Sequence, residues 1–63
     1  MELLNYSEAA GVLKIAVLTL RKKVMRREVP FLKPFGPRGR ILFEREALEE
    51  FLRASRVTPL PRG

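Results

Sequence analysis

The sequence has no cysteine, no histidine and no tryptophan. Without cysteine there can be no disulfide, thiolate nucleophile or zinc-thiolate site. Without histidine the chain lacks the usual general base at neutral pH and the commonest metal ligand. The remaining Glu, Ser and Lys residues form no recognisable pair of nucleophile and base. We therefore expect a protein that is not an enzyme and that has no metal site and no cofactor.

Long apolar runs are also missing. No stretch approaches the length needed to span a membrane, and the first residues, M-E-L-L-N, have no basic segment followed by an apolar run. A cytoplasmic protein without a membrane partner is the expectation. The 63 residues are enough for one small domain with a thin core. Hydrophobic content of 46% with 32% charged residues is typical of a folded chain.

Acidic residues are scarce in the middle of the chain. The net charge is +6, and residues 16–43 hold eight Lys and Arg residues against a single acid, Glu28. Residues 1–15 and 44–54 are net acidic. A chain that needed only solubility would intersperse its signs, so a basic centre between acidic segments favours a polyanionic partner on one side.

The first predicted helix has a clear start. Residues 5–8, N-Y-S-E, fit a capping box in which Asn5 is the N-cap and Glu8 reaches back to its backbone. Gly11 has low helix propensity, so we predict a short helix that ends near Leu13.

A turn at residues 14–16 would then lead into a second helix and complete a helix-turn-helix. A single continuous helix over residues 6–27 is the alternative, although the β-branched Ile15 and Val17 weaken it. The second helix, residues 17–29, reads V-L-T-L-R-K-K-V-M-R-R-E-V and is predicted to end before Pro30. Its apolar residues share one side of a helical wheel, and its basic residues lie across from them or on the flanks.

A hairpin is predicted next. Residues 31–33 and 40–43 are short β-prone runs, and residues 34–39, P-F-G-P-R-G, are dense in turn formers. A basic hairpin beside a basic helix is typical of the wing in winged helix-turn-helix proteins. Alternatively, Arg38 and Arg40 only protect an exposed strand edge from aggregation.

Residues 44–54, E-R-E-A-L-E-E-F-L-R-A, are predicted to form a third helix because most of them are strong helix formers. An apolar stripe would pack on the core, and the acidic outer face would be repelled by phosphate. Residues 55–63 are predicted to be a flexible, basic tail that contains prolines. The domain would thus span residues 1–54.

Three segments together resemble a known family. They are L-L-N-Y-S-E-A-A at residues 3–10, the basic helix ending in E-V-P at residues 28–30, and R-E-A-L-E-E-F-L at residues 45–52. This order is similar to that of the excisionase-type DNA-binding family, small winged helix-turn-helix proteins related to the DNA-binding domain of MerR. The resemblance covers about 50 of the 63 residues.

The resemblance implies a mainly α domain of three short helices plus a two-stranded wing hairpin. It implies a recombination directionality factor or small transcription regulator of a phage or integrative element. The implied partners are double-stranded DNA, further copies of the chain, and an integrase. A DNA-bound protein of this kind would be associated with the nucleoid. The chain departs from the family at three positions. Members often have glycine at the position of Lys14, serine or threonine at that of Ala16, and glycine at that of Arg27. Its wing is also longer and richer in proline.

In such a complex the second helix would lie in the major groove and the wing on the adjacent groove. We predict base contacts from Arg21 and Lys22, which could read guanine, and phosphate contacts from Lys23, Arg26 and Arg27. The DNA-contacting residues predicted on the second helix are Val17, Leu18, Thr19, Arg21, Lys22, Lys23, Arg26 and Arg27. Those predicted on the wing are Lys33, Arg38 and Arg40.

Two other functions are consistent with the sequence. A small protein-interaction module, such as a phage or host adaptor or inhibitor, would use Leu18, Met25, Phe31 and Phe35 as anchors without binding DNA. An RNA-binding protein is consistent with the charge, but most of the five aromatic residues are spaced like core residues.

Overall fold

The computed structural model of the chain describes residues 1–57, and helices dominate it. The elements in chain order are β1 (Leu3–Leu4), α1 (Tyr6–Leu13), α2 (Val17–Met25), β2 (Phe43–Glu44) and α3 (Arg45–Ala54). The predicted mainly helical class with three short helices is thus confirmed. Within residues 1–57 no helix is both long enough and apolar enough to cross a membrane.

Helix α1 begins at the predicted capping box. The Glu8 backbone N–H donates to Asn5 Oδ1 at 2.8 Å, and the Asn5 N–H donates to Glu8 Oε1 at 3.0 Å. Two backbone donors at the helix start are therefore satisfied by side chains. The helix ends at Leu13, as the sequence predicts.

The junction between α1 and α2 is a three-residue turn, so the alternative of one continuous helix is wrong. Lys14 adopts a left-handed conformation with φ 60° and ψ 39°. The Ile15 N–H donates to the Ala10 carbonyl and the Lys14 N–H to the Gly11 carbonyl, the hydrogen-bond pattern of a Schellman motif. The chain closes this turn without the glycine that normally occupies the left-handed position.

The predicted end of the second helix is wrong, because α2 stops at Met25 and not at residue 29. Arg27 has φ 56°, and the Arg27 and Glu28 N–H groups close a second Schellman motif on Val24 and Lys23. The reason lies in Val29, which is buried. In a continued helix it would lie about 2.5 turns after Leu20, on the side away from the core.

A two-stranded antiparallel sheet is present, but its strands are not the two predicted arms of the wing. Strand β1 pairs with β2, with Leu3 opposite Glu44 and Leu4 opposite Phe43. The predicted runs at residues 31–33 and 40–43 share only an isolated bridge between Leu32 and Leu42, with hydrogen bonds of 2.8 and 3.0 Å.

The proline-rich stretch at residues 34–39 limits that pairing, since proline has no N–H to donate. Leu3 and Leu4, which are not predicted to form a strand, provide the other partner. The segment that leaves the loop therefore ends against the N-terminal strand.

Glu2 and Arg45 hold the two ends of this arrangement together. The Arg45 backbone N–H donates to the Glu2 carbonyl at 3.0 Å, and its Nε and Nη2 donate to the Glu2 carboxylate at 2.9 and 3.2 Å. The hydrogen bond and the charge of Glu2 raise the pKa of Arg45. The pair is exposed, so its main effect is on geometry and not on the free energy of unfolding.

The core lies where α1 packs against both α2 and α3 over the strand pair. Phe43, Leu4, Leu20 and Leu48 are its largest fully buried side chains. The remaining buried apolar residues are Ala9, Ala10, Val24 and Val29. The small side chains of Ala9 and Ala10 allow the helices to approach each other closely.

Helix α3 begins one residue later than predicted, because Glu44 is its N-cap and belongs to β2. Leu48 is buried, Ala47 and Phe51 are half-buried, and Leu52 is exposed. Beyond α3, residues 55–57 are exposed. The rest of the predicted flexible tail, residues 58–63, lies outside the described residues.

The left-handed conformation of Lys14 predicts an unusual stabilising substitution. Lys14→Gly should raise the free energy of unfolding by about 0.5–1 kcal/mol, because glycine adopts positive φ without the Cβ clash. In a domain of this size about 1 kcal/mol moves Tm by roughly 4–8 °C. Lys14→Ala is the matched control, since it removes the same charge but keeps a Cβ. Equal melting temperatures for the two variants would show that the position carries no backbone strain.

Candidate nucleic-acid interface

The exposed face of α2 carries four of the eight residues of the second helix that are predicted to contact DNA. Leu20 and Val24 are buried, so the opposite side of the helix is turned outward. Leu18 and Met25 are 66% and 84% exposed there. The exposed residues of this face are Leu18, Thr19, Lys22, Met25 and Arg26.

Besides Arg21, three predicted contact residues lie off this face. Val17 is half-buried and packs against the core. Lys23 is also half-buried, and its Nζ lies 3.7 Å from Glu28 Oε1 in an ion pair along one flank. Arg27 is exposed but follows the helix, in the turn that closes it.

Arg21 lies on the other flank, where an aromatic stack holds it. Its guanidinium carbon lies 4.8 Å from the centre of the Tyr6 ring, within the range of a cation–π contact. Tyr6 in turn packs edge-on against Phe43, with ring centroids 5.3 Å apart and planes at 73°. Arg21 is thereby tied through Tyr6 to a fully buried core residue.

The loop after α2 provides the second set of cations. Lys33, Arg38 and Arg40 are exposed, and residues 29–43 contain no acidic residue. Within residues 1–57, the basic side chains that form ion pairs are Lys23, Arg45 and Arg53. The loop cations Lys33, Arg38 and Arg40 therefore have no ion-pair partner among the described residues.

An open groove of about 550 Å³ joins α2 to this loop. Arg21 reaches it from α2, and Arg40 reaches it from the returning arm of the loop. None of the lining residues is acidic, and residues at the start of α1 form one wall. The lining residues are Asn5, Tyr6, Ser7, Arg21, Gly39, Arg40 and Ile41. We call this the basic groove.

A second, more apolar groove of about 210 Å³ lies on the opposite flank of α2. This groove is lined by the Lys23–Glu28 ion pair and by Phe51 and Leu52 of α3. Its other lining residues are Leu13, Ile15 and Val29. We call this the apolar groove. Its chemistry suits a protein contact better than a phosphate.

The structure also includes residues that sequence reasoning missed. The sequence pattern marks Asn5, Tyr6 and Ser7 only as the start of a helix, yet they form one wall of the basic groove. Tyr6 and Arg21 are fifteen positions apart, so no local spacing pattern could connect them.

Metal chemistry finds no support in this part of the chain. Within residues 1–57 no group of three or more His, Cys, Asp or Glu residues could hold a metal ion.

Comparison of the chain with protein-family models, with curated proteins and with solved structures finds no match. Any functional proposal must therefore rest on the geometry of the chain.

The stack of Arg21 on Tyr6 makes a testable prediction. Tyr6→Leu should remove the ring-current shift of the Arg21 side-chain protons in NMR spectra. It should also lower the free energy of unfolding by about 1 kcal/mol, because aromatic pairs contribute about 0.5–1.5 kcal/mol beyond their buried area. Tyr6→Phe keeps the ring and should preserve both properties. An unchanged Arg21 spectrum in Tyr6→Leu would rule out the stack.

Proposed function

We propose that this chain is a sequence-specific double-stranded DNA-binding protein with a winged helix-turn-helix fold. The observation that carries the proposal is the basic groove, in which Arg21 of the second helix and Arg40 of the loop meet without any acidic neighbour in the lining. Helix α1, the turn at residues 14–16 and α2 provide the helix-turn-helix. Residues 31–43 provide the wing.

In this proposal the outward face of α2 enters the major groove. Lys22 can donate to guanine O6 and N7, and Thr19 to a base-edge acceptor, while Leu18 can contact a thymine methyl group. Arg26, one turn later on the same face, is placed for a phosphate. Lys23, paired with Glu28, contributes less than the sequence suggests.

The phosphate backbone would follow the basic groove. Arg21 is stacked on Tyr6 at the flank of α2, so we assign it to a phosphate and not to a base edge. Arg40 and the Ser7 hydroxyl face the same groove. Contacts of this kind set the register of a protein on the duplex, and base contacts then give specificity. Arg38 and Lys33 would follow the adjacent groove.

The resemblance to excisionases extends the proposal to a biological role. The chain would act in the cytoplasm, associated with the nucleoid, as a recombination directionality factor or small transcription regulator of a phage or integrative element. A single module buries only about 600–1,000 Å² of protein surface on DNA, which is too little for high specificity alone. Repeated copies or an integrase would provide the rest.

The outer face of α3 supports binding in repeated copies. Glu46 and Glu49 are exposed, and so is Glu50, which is paired with Arg53 at 3.1 Å. This acidic face could meet the basic loop of a neighbouring copy on the same DNA. Head-to-tail contacts would then lay protein along the duplex.

A protein-interaction module is the second candidate function. The observation that favours it is the exposure of Leu18 and Met25 on α2 together with the apolar groove. Phe31, another of the predicted anchors, is half-buried against the core and is a weak candidate. Such a module would not need the unpaired cations of the loop.

Salt dependence of DNA binding tests the proposal directly. We expect the affinity for a random-sequence duplex to fall steeply as salt rises, with a slope of about 0.9 per phosphate contact. Lys22→Ala, Arg21→Ala and Arg38→Ala should each weaken binding, and loss of a phosphate contact should lower the slope by about 0.9. Arg53→Ala, which removes an exposed charge from α3, is the matched control and should change neither quantity.

A folded chain that shows no salt-dependent binding would contradict DNA binding. It would favour the protein-interaction module, in which Leu18→Ala or Met25→Ala should abolish capture of a partner. Equal effects of Arg53→Ala and Arg38→Ala would mean that net charge, and not this face, causes the binding.

The number of copies on a selected DNA site is a separate prediction. Native mass spectrometry should show two or more copies on one site. The double variant Glu46→Gln/Glu49→Gln should lower the cooperativity of binding, because it removes the acidic partner of the neighbouring copy. The intrinsic affinity of one copy should stay the same or rise, since two negative charges are lost. One copy per native site would refute the repeated arrangement.

A further inference from the structure

Phe35 is the exposed member of the aromatic set. Its side chain is 72% exposed. Phe43 is fully buried, and Tyr6, Phe31 and Phe51 are half-buried against the core. Phe35 lies near the middle of the basic loop and lines neither the basic nor the apolar groove. Its exposure therefore has no explanation in the packing of the domain.

The loop backbone holds Phe35 in a restricted conformation. The Gly36 N–H donates to the Lys33 carbonyl at 3.2 Å, and the Gly39 N–H donates to the Gly36 carbonyl at 3.0 Å, so two turns follow each other directly. Pro34 and Pro37 occupy the second position of each turn, where proline restricts φ to the value that the turn needs. Gly36, with φ 90°, links the two turns.

Gly39 packs against Phe35 at the base of the loop. A Cβ at Gly39 would lie 2.6 Å from the Phe35 Cβ and 2.9 Å from its carbonyl carbon, closer than any real contact. Only glycine therefore permits this approach. The loop arms are further joined by the Leu32–Leu42 bridge. An aromatic ring on such a restricted loop can contact a partner at a low cost in conformational entropy.

The charge around Phe35 indicates the partner. Lys33, Arg38 and Arg40 surround it in sequence, and no acidic residue occurs between Glu28 and Glu44. An apolar ring among unpaired cations is complementary to a partner in which apolar surfaces lie between negatively charged groups. A base-pair stack flanked by phosphates has this composition.

We propose that Phe35 is a wedge that inserts between adjacent base pairs from the minor groove and bends the duplex. The inference rests on the proposed DNA binding and adds a specific role for one residue. The cations of the loop bring it to the groove, and the ring partly unstacks one base step. Pyrimidine–purine steps, which unstack most readily, are the preferred positions.

The test compares two duplexes of about 24 base pairs that differ only at the centre. One is fully paired, and the other has a central T·T mismatch beside a 2-aminopurine. The mismatch makes unstacking easier, and the 2-aminopurine reports unstacking as a rise in fluorescence. The wild-type chain should bind the mismatched duplex at least about threefold more tightly and should increase the 2-aminopurine signal. Phe35→Ala should lose both effects and keep the salt dependence of binding. Phe35→Trp should keep both effects.

Gly39→Ala provides a second variant, because it retains every basic residue but forces Phe35 to move. It should lose the preference for the mismatch as Phe35→Ala does. Val57→Ala, which truncates an exposed apolar side chain after α3, is the control and should behave as wild type. Thermal unfolding of each variant establishes that the domain is folded.

The outcomes separate the two proposals. If the wild-type chain binds neither duplex, DNA binding itself is refuted. If it binds both and Phe35→Ala leaves the preference and the fluorescence unchanged, the wedge alone is refuted and Phe35 becomes a candidate anchor for a protein. An equal loss of affinity for both duplexes, with the preference retained, would also refute the wedge.

Discussion

The burial of Phe43 is the interaction on which the arrangement of the domain depends. This side chain is fully buried, and its backbone pairs with Leu4 in the strand pair. Its ring supports Tyr6, which in turn carries Arg21. The residue also stands between the loop and α3 in the chain. One apolar side chain thus connects the second helix, the loop and the third helix, so its truncation would disturb both the core and the basic groove.

Backbone strain at two positions shapes the second helix. Lys14 and Arg27 both have positive φ, and each closes a helix through the same pair of hydrogen bonds. Most helices end this way with glycine, because a Cβ raises the energy of the left-handed conformation. Here Lys14 and Arg27 adopt this conformation, and the partial burial of Ile15 and the burial of Val29 shortly after them offset its energy. The length and direction of α2 follow from these two turns.

Charge is separated across the domain. The cations of α2 and the loop meet at the basic groove, whereas the acidic residues of α3 lie on its own outer surface. A domain with a thin core gains little stability from such an arrangement, because exposed charges contribute little to folding. The proposed DNA binding would use this separation, because long-range attraction of a polyanion depends on the field of a whole face. The wedge that we propose for Phe35 requires the same attraction, since the cations must bring the ring to the duplex.

The sequence by itself determined the features that depend on neighbours in the chain. The capping box at Asn5 and the third helix follow from short-range hydrogen bonds and helix propensity, and both are visible in the residue order. The turn after Leu13 was one of two alternatives, because Lys14 stands where a glycine would have marked the end of the helix. The basic character of residues 16–43 is equally a property of the chain alone. The resemblance to excisionases added an order of elements, and the DNA-binding residues named from it stay predictions.

Only the tertiary structure decided which distant residues meet. The pairing of Leu4 with Phe43 and the convergence of Arg21 with Arg40 join positions far apart in the chain, so no spacing rule could predict them. The same holds for the end of α2, where the core position of Val29 overrides a local pattern that would continue the helix to Pro30. Local energies are small, and the burial of apolar surface in a shared core selects among the conformations they allow.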